Sequence, residues 1–399
     1  MVNLIAQMIF WLSIAALAYV YAGYPVLVYL VSRLFPKKIQ RAASEPKVTI
    51  LITAYNEENA IRRKIENTLL IDYPKEKLEI LVASDGSTDR TDAIVKEFAA
   101  RGVRLFRQEG RVGKTVTQNN AVERAAGEII LFSDATTDYR PDVLQAILPN
   151  FADEKIGCVA GKLIYVDSSA SNIGKGAKSY WNYETFLKEA ESRACSLIGA
   201  SGCLYAVRRS AYRPMYAEAC SDFLICTLVY EQGLRSVYEP RAVCTEDTNR
   251  QTDKEMRMRV RVISQTFTDL WRNRKMLNPL RSGFYAVELI SHKVLRYSVP
   301  LLLLLIYVSN AVLMPHAPLF ETLFLAQNGF YLLAVLGWAF EKMGARIGVF
   351  AIPHYFVLAN LASVFGFYKF LRGERYATWE PIREKNEEPD AVSTFNQTV

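Results

Sequence analysis

Histidine is scarce in this chain: 399 residues hold three, and His292, His316 and His354 all fall in or beside the hydrophobic carboxyl-terminal part. Residues 45–278 contain none. That excludes a histidine-based catalytic triad and a histidine-liganded zinc site there, and leaves carboxylates as the available bases. The six cysteines (Cys158, Cys195, Cys203, Cys220, Cys226 and Cys244) form no Cys-x-x-Cys pair, so reduced and mostly buried thiols are expected. Internal repeats and low-complexity tracts are also missing. A Walker A motif is incomplete: GlyArgValGlyLysThr at 110–115 ends like one, but the position five residues before Gly113 is Gln108. This spacing counts against a transport-coupled NTPase. Arg111 and Lys114 can still approach phosphates by charge alone, the alternative being a solvated turn.

What is present is a hydrophobic content of 51% against 22% charged residues, which fits a chain with a large core. The apolar residues concentrate at 4–31 and after about residue 288. The first run is too long for a signal peptide, has no basic region before it and offers no small-residue cleavage site, so it reads as a retained transmembrane helix. Arg33, Lys37, Lys38 and Arg41 follow it and mark the cytoplasmic side. Three more hydrophobic segments, 297–314, 319–340 and 347–371, lie within a region of interfacial and transmembrane helices over 284–373. Four spans would put the carboxyl terminus opposite the catalytic domain, whereas Lys369, Arg372 and Arg375 argue for the same side, which would make one segment re-entrant or interfacial. The expected location is the inner (plasma) membrane, multi-pass, with residues 45–278 cytoplasmic and 380–399 a polar tail. The net charge of +7 is assigned to contact with anionic membrane lipid and not to nucleic acid, because many basic residues flank the hydrophobic segments.

From Lys47 short β-rich runs alternate with helical stretches at βαβ spacing, predicting an α/β domain with a mostly parallel sheet whose ligands bind beyond the carboxyl ends of the strands. Polar clusters fall at those ends: ThrAlaTyrAsnGluGlu at 53–58, SerAspGlySerThrAsp at 84–89 and SerAspAlaThrThrAsp at 133–138. An ordinary βα turn with a helix cap explains any one of them. Three in succession bring carboxylates to a single edge.

A nucleoside diphosphate needs a stacking surface, an acceptor for its sugar or base, and a cation. Tyr55 can stack, Glu57 and Asp85 can accept, with Thr53 and Gly86 in the same two loops, and Asp134 can hold Mg²⁺ or Mn²⁺ against the diphosphate. Asp222 starts an apolar helical stretch, where it is either a cap or a base. Before it, GlyAlaSerGlyCysLeuTyr at 199–205 offers Ser201, Gly202 and Cys203 to a closely approaching sugar.

In this order the motifs resemble those of the inverting family 2 glycosyltransferases of the cellulose, chitin and hyaluronan synthase group, from about Lys47 to Asn273, including TyrGluProArgAlaVal and the Arg-rich segment ending at Arg261. The resemblance implies a GT-A (Rossmann-like) domain flanked by transmembrane helices. It implies that Tyr55, Glu57 and Asp85 hold the nucleotide, that Asp134 works with the metal, and that Asp222 deprotonates the acceptor hydroxyl. ThrGluAsp at 245–247 matches the group's base motif by spelling but follows the GluProArgAlaVal strand, so Glu246 is left as an accessory acid near the product phosphates or a structural one. Two departures stand out. Thr136 occupies the place of the second metal-side carboxylate, which leaves Asp138 or Glu246 to assist. MetArgValArgVal at 258–262 keeps Arg261 but lacks the Gln and Trp of processive enzymes, leaving Trp181 or Trp271 as stacking faces. Arg259 and Arg261 read as diphosphate or lipid-phosphate contacts, or as a solvated helix side.

The expected function is transfer of a sugar from a UDP- or GDP-sugar to a glycan or lipid-linked acceptor in cell-surface or exopolysaccharide synthesis. Export would call for a homo-oligomer or a partner. A nucleotide-sugar-binding scaffold with weakened catalysis is the alternative reading.

Overall fold

Val48–Ala54 is rich in β-branched side chains and buried at all seven positions, the pattern of a strand covered on both faces. In the computed structural model, which describes residues 2–166, 172–247, 252–343 and 348–378, it becomes β1 of an eight-stranded sheet. The strands are β1 (Val48–Ala54), β2 (Leu78–Ser84), β3 (Val103–Arg107), β4 (Ile129–Asp134), β5 (Asp138–Tyr139), β6 (Ile156–Val166), β7 (Tyr205–Arg208) and β8 (Arg235–Asp247), in the order β3-β2-β1-β4-β7-β6-β8-β5. The parallel order expected from the βαβ alternation runs from β3 to β4. Beyond β4 the sheet is mixed: β7 is antiparallel to both β4 and β6, β8 is parallel to β6, and β5 is antiparallel to β8.

Register decides where the chemistry collects. Thr53 of β1 stands beside Ala83 of β2 and Asp134 of β4 in a single row, so the three strands end together and their following loops share an edge. Apolar cores lie on both faces, one around Ile50, Ile52 and Leu131 and the other around Leu51, Phe132 and Tyr205.

Four helices among the described residues are long and apolar enough to cross a membrane: Val2–Leu34, Val299–His316, Pro318–Lys342 and Gly348–Leu371. Their outward side chains, such as Leu12, Leu304, Leu332 and Leu361, are exposed, as a lipid-facing surface would be. These helices and the sheet domain are packed together. Tyr24 and Val28 of the first bury themselves against Leu187, Ala190 and Ala194 of the Asn172–Ala194 helix. Val260 and Ile263 of the Thr252–Arg272 helix pack on Ala362 of the last. At that crossing a Cβ on Gly366 would lie 2.8 Å from the Ile263 side chain, so the helices touch through glycine. The polar tail expected at 380–399 lies outside the described residues.

Candidate active site

The shared strand edge opens on a cavity of about 750 Å³. Lys114, the first residue of the helix after β3, forms an ion pair through Nζ with Oδ1 of Asp134 at the end of β4. Burial pulls the Lys114 ammonium down, yet the adjacent Asp134 carboxylate and the nearby Asp222 leave it above its ordinary value. Gly202 faces this pair: a Cβ built on it would lie 3.3 Å from Lys114 Nζ, 3.3 Å from Asp222 Oδ2 and 3.5 Å from Asp134 Oδ2. The absence of a side chain at Gly202 therefore keeps open the space that both aspartates look into.

Asp222 sits in the first turn of the helix Ser221–Glu231. Its Oδ1 accepts from the Phe223 amide at 3.0 Å and the Cys220 thiol at 3.1 Å, leaving Oδ2 toward the cavity. The loop before it is pinned by Asp269, which accepts the Cys220 amide at 3.1 Å and the Tyr216 hydroxyl; burial raises the Asp269 carboxyl well above its usual range. Nothing in the sequence around Asp269 marks it for this work, because the partner loop lies about fifty residues away.

The donor-side residues divide into two groups. Thr53 and Glu57 line the cavity. Asp85 is fully buried and its carboxylate accepts from the amides of Val112 and Gly113 at 2.8 and 3.0 Å and from the Thr117 hydroxyl at 3.0 Å, so it fastens the 110–117 loop. Gly86, at φ +68°, lets that loop approach, since a Cβ there would stand 2.4 Å from the Gly110 carbonyl oxygen. Arg111 from the same loop covers the Tyr55 ring at 4.0 Å from its centroid. Asn56, with φ +51°, ties the two carboxylate loops together by accepting from the Thr88 amide at 2.6 Å.

Ser201 and Cys203 also line the cavity, though the Cys203 thiol turns inward to Cys244 Sγ at 3.4 Å. Glu246, at the end of β8, accepts from the Thr136 hydroxyl at 3.0 Å, placing a carboxylate beside the position where the resembled group has its second metal-side acid. No group of three or more His, Cys, Asp and Glu arranged to hold a metal occurs among the described residues. The donor set thus fits a cation held by one or two carboxylates and completed by phosphate oxygens, the usual arrangement for hard divalent ions at nucleotide sites.

Arg261 reaches the cavity from the Thr252–Arg272 helix, and burial pulls its guanidinium down from its ordinary value, with Asp134 and Asp222 opposing. Arg259, two residues earlier on the same helix, also lines the cavity and pairs with Glu255 at 2.7 Å and with the Tyr355 hydroxyl of the last apolar helix. Trp181 lines the cavity, whereas Trp271 is exposed elsewhere. A further set, unread as a site in the sequence, lines the same cavity: Glu184, Lys188, Glu191, His292 and Lys293. Their signal was the spacing of 184, 188 and 191, a charged stripe on one side of a helix that turns out to be buried.

Residues 49–215 match the family model for glycosyl transferase family 2. This segment is a family 2 glycosyltransferase domain. The matched part holds Asp134 and the 201–203 loop and ends before Asp222. A probable glycosyltransferase, YdaM, of Bacillus subtilis is 28% identical over 229 residues, 54% of this chain and 54% of that protein. The beta-monoglucosyldiacylglycerol synthase of Nostoc sp. is 28% identical over 189 residues, 46% of this chain and 40% of the relative. The poly-beta-1,6-N-acetyl-D-glucosamine synthase of Staphylococcus aureus is 27% identical over 205 residues, 49% of each. The chain thus spans about half the length of the relatives it matches. Mannosyltransferase PcManGT from Pyrobaculum calidifontis, solved in complex with GDP-Man and Mn²⁺, superposes with a TM-score of 0.72 at 22% identity, over 92% of this chain and 100% of that one. The family 2 domain therefore has the GT-A fold, and its likeness to that structure extends into the apolar helices.

Proposed function

We propose that this protein is a membrane-bound glycosyltransferase that moves a sugar, with inversion, from a UDP- or GDP-sugar to a glycan or lipid-linked acceptor at the cytoplasmic face, in cell-surface or exopolysaccharide synthesis. The observation that carries this reading is the pair of carboxylates, Asp134 and Asp222, facing one point above Gly202. They come from two different elements, the end of β4 and the first turn of the Ser221–Glu231 helix, which suits them to different parts in a displacement.

Thr53, Tyr55, Glu57, Asp85 and Gly86 belong to the donor's nucleotide, Tyr55 with Arg111 by stacking and Asp85 by fixing the loop that covers it. Asp134, with Glu246 beside Thr136, would hold Mg²⁺ or Mn²⁺, which when bound supplies positive charge against the diphosphate. Lys114 and Arg261 oppose the charge that develops on the departing diphosphate, and Arg259 holds the Arg-rich helix to the membrane part. On the acceptor side, Ser201, Gly202 and Cys203 form the floor under the incoming sugar. Asp222 Oδ2 takes the proton of the acceptor hydroxyl as its oxygen bonds to the anomeric carbon opposite the departing diphosphate. A base so placed contributes ~10²- to 10⁴-fold. The basic run Arg33, Lys37, Lys38 and Arg41 after the first apolar helix supports the cytoplasmic placement. The four apolar helices among the described residues are few to enclose a polymer channel, so export would need a second copy or a partner.

Membranes containing the protein, offered a panel of nucleotide-sugars with Mg²⁺ or Mn²⁺, are expected to release the nucleoside diphosphate from one UDP- or GDP-sugar. Release from none of them would favour the second reading, a nucleotide-sugar-binding scaffold, which Thr136 in place of a metal-side carboxylate supports.

A further inference from the structure

The last of the four apolar helices, Gly348–Leu371, differs from the other three in what it lies against. It follows the Arg-rich helix Thr252–Arg272 for most of its length and in the same direction. Near its start the Tyr355 hydroxyl donates to Glu255 at 3.3 Å. In its middle Ala362 packs on Val260 and Ile263, and Gly366 lets the two helices close, since a Cβ there would stand 3.1 Å from the Val260 carbonyl oxygen. Near its end Phe367 and Phe370 hold the Phe267 ring, at 5.0 and 5.8 Å between centroids. The Thr252–Arg272 helix is not membrane material: it carries Asp253, Lys254, Glu255, Arg257, Arg259 and Arg261, and the last two line the cavity. Charged side chains at that density are excluded from hydrocarbon.

Both ends of the Gly348–Leu371 helix also fall on the side of the sheet domain. Phe267, which meets its end, meets Tyr297 as well, at 5.5 Å, just before the helix Val299–His316 sets out from that domain. Pro318–Lys342 folds back along this helix, with the Tyr307 hydroxyl donating to Asn328 at 3.2 Å, and so returns to the side it came from. There Glu341 meets His354 at 3.3 Å and Gly337 faces Phe350. The last helix thus starts beside the returning end of one neighbour and finishes beside the departing start of the other. A crossing helix would separate its two ends by about 30 Å along the membrane normal. Beyond Leu371 the chain stays in the same place: Gln265 donates to the Tyr376 carbonyl at 2.9 Å, and Tyr376 and Ala377 line the cavity, Ala377 against Gly113.

We propose that the Gly348–Leu371 helix does not cross the membrane but rests in one leaflet, on the side of the sheet domain, with the Arg-rich helix on its protein face and acyl chains on the other. Its buried row includes Ala351, Tyr355, Leu358, Ala362 and Gly366, while Ile352, Leu361, Val364, Phe365, Tyr368 and Leu371 point outward and are exposed. A leaflet is the partner this outward row fits. It continues the exposed apolar surface of the two preceding helices, as at Leu304 and Leu332, and it ends among Lys369, Arg372 and Arg375, where a helix lying in the interface meets anionic headgroups. Three crossings among the described residues then leave the segments after Leu34 and after Leu371 on one side, as the basic residues at each exit require. The wall of the cavity that carries Arg259 and Arg261 is thereby held at the membrane surface. The proposal stands apart from the sugar-transfer reading, because it uses packing alone.

Two measurements on the full chain test this. In sealed membrane vesicles oriented with the sheet domain outward, protease should remove an epitope placed after Val399 together with the sheet domain; in vesicles of the opposite orientation both should survive until detergent is added. An epitope that stays protected while the sheet domain is digested overturns the proposal, and this arm needs no substitution. The second measurement is depth. Nitroxide labels at Ile352→Cys, Leu361→Cys and Leu371→Cys, each an exposed position, are read in vesicles of phosphatidylcholine and phosphatidylglycerol by collision with oxygen and with a water-soluble nickel chelate, after subtracting the labelled wild type for its native thiols. All three labels are expected at one depth, ~5–10 Å below the headgroups. Leu361→Cys near the bilayer centre, about 15 Å down, with the other two near opposite surfaces, overturns the proposal.

Discussion

The ammonium of Lys114 rests on the carboxylate of Asp134, joining the loop after β3 to the end of β4 at the centre of the cavity. In this state the lysine occupies one oxygen of Asp134, and Oδ2 remains toward the space above Gly202. A diphosphate with its cation would draw on both residues. Asp134→Asn should therefore make UDP or GDP affinity insensitive to Mn²⁺, whereas wild-type affinity should fall about tenfold or more when EDTA removes the metal. Calorimetric titration with and without Mn²⁺ measures both, and a metal dependence surviving in the asparagine variant would take Asp134 out of this role.

Asp222→Asn keeps the Phe223 amide contact available to the side-chain oxygen but removes the proton acceptor. Turnover should drop by ~10²- to 10⁴-fold with nucleotide affinity within about twofold of wild type. Near-normal transfer would mean another base.

Gly202→Ala would place a methyl group 3.3 Å from both Lys114 Nζ and Asp222 Oδ2, a tight but not impossible fit. Folding should survive, with an unchanged melting temperature, while kcat/KM falls about tenfold or more because the sugar's space is taken. By contrast, Gly86→Ala meets backbone at 2.4 Å and should lower thermal stability itself.

Lys64 is buried beneath the site, donating to the Thr137 carbonyl at 2.8 Å with the Tyr139 ring 3.5 Å away, and burial lowers its ammonium to about 8. Below pH 8 the charge is carried in both the folded and unfolded chains and its burial cost is fully felt. As pH rises from about 8 toward the ordinary 10.5, the folded chain loses the proton first, so this group favours folding increasingly. The stability of wild type relative to Lys64→Met should therefore rise by about 2 kcal/mol between pH 7 and 9.5. Denaturation of the two proteins side by side isolates this from the buried thiols, which titrate in the opposite sense; a flat difference would contradict it.

The sequence by itself determined the strands and the loops that carry chemistry. ValThrIleLeuIleThr reads as a short β-rich strand, and the period of strand and helix brings Thr53, Asp85 and Asp134 to one edge, because those signals are local. The four long apolar runs were equally legible, since a membrane-length helix is written in composition. Tertiary structure alone decided what those residues face. The sequence places Asp85 at the donor edge, and only the tertiary structure adds that its carboxylate fastens the 110–117 loop, because the amides of Val112 and Gly113 fold back over it. The sequence offers Glu246 as an accessory acid near the product phosphates or a structural one, and only the β8 path sets it against Thr136. The same holds for the buried charges at 184, 188 and 191, which on a sequence look like a solvated helix face. Two of their partners, His292 and Tyr24, come from distant parts of the chain, and no local pattern encodes a contact made by packing across more than a hundred residues.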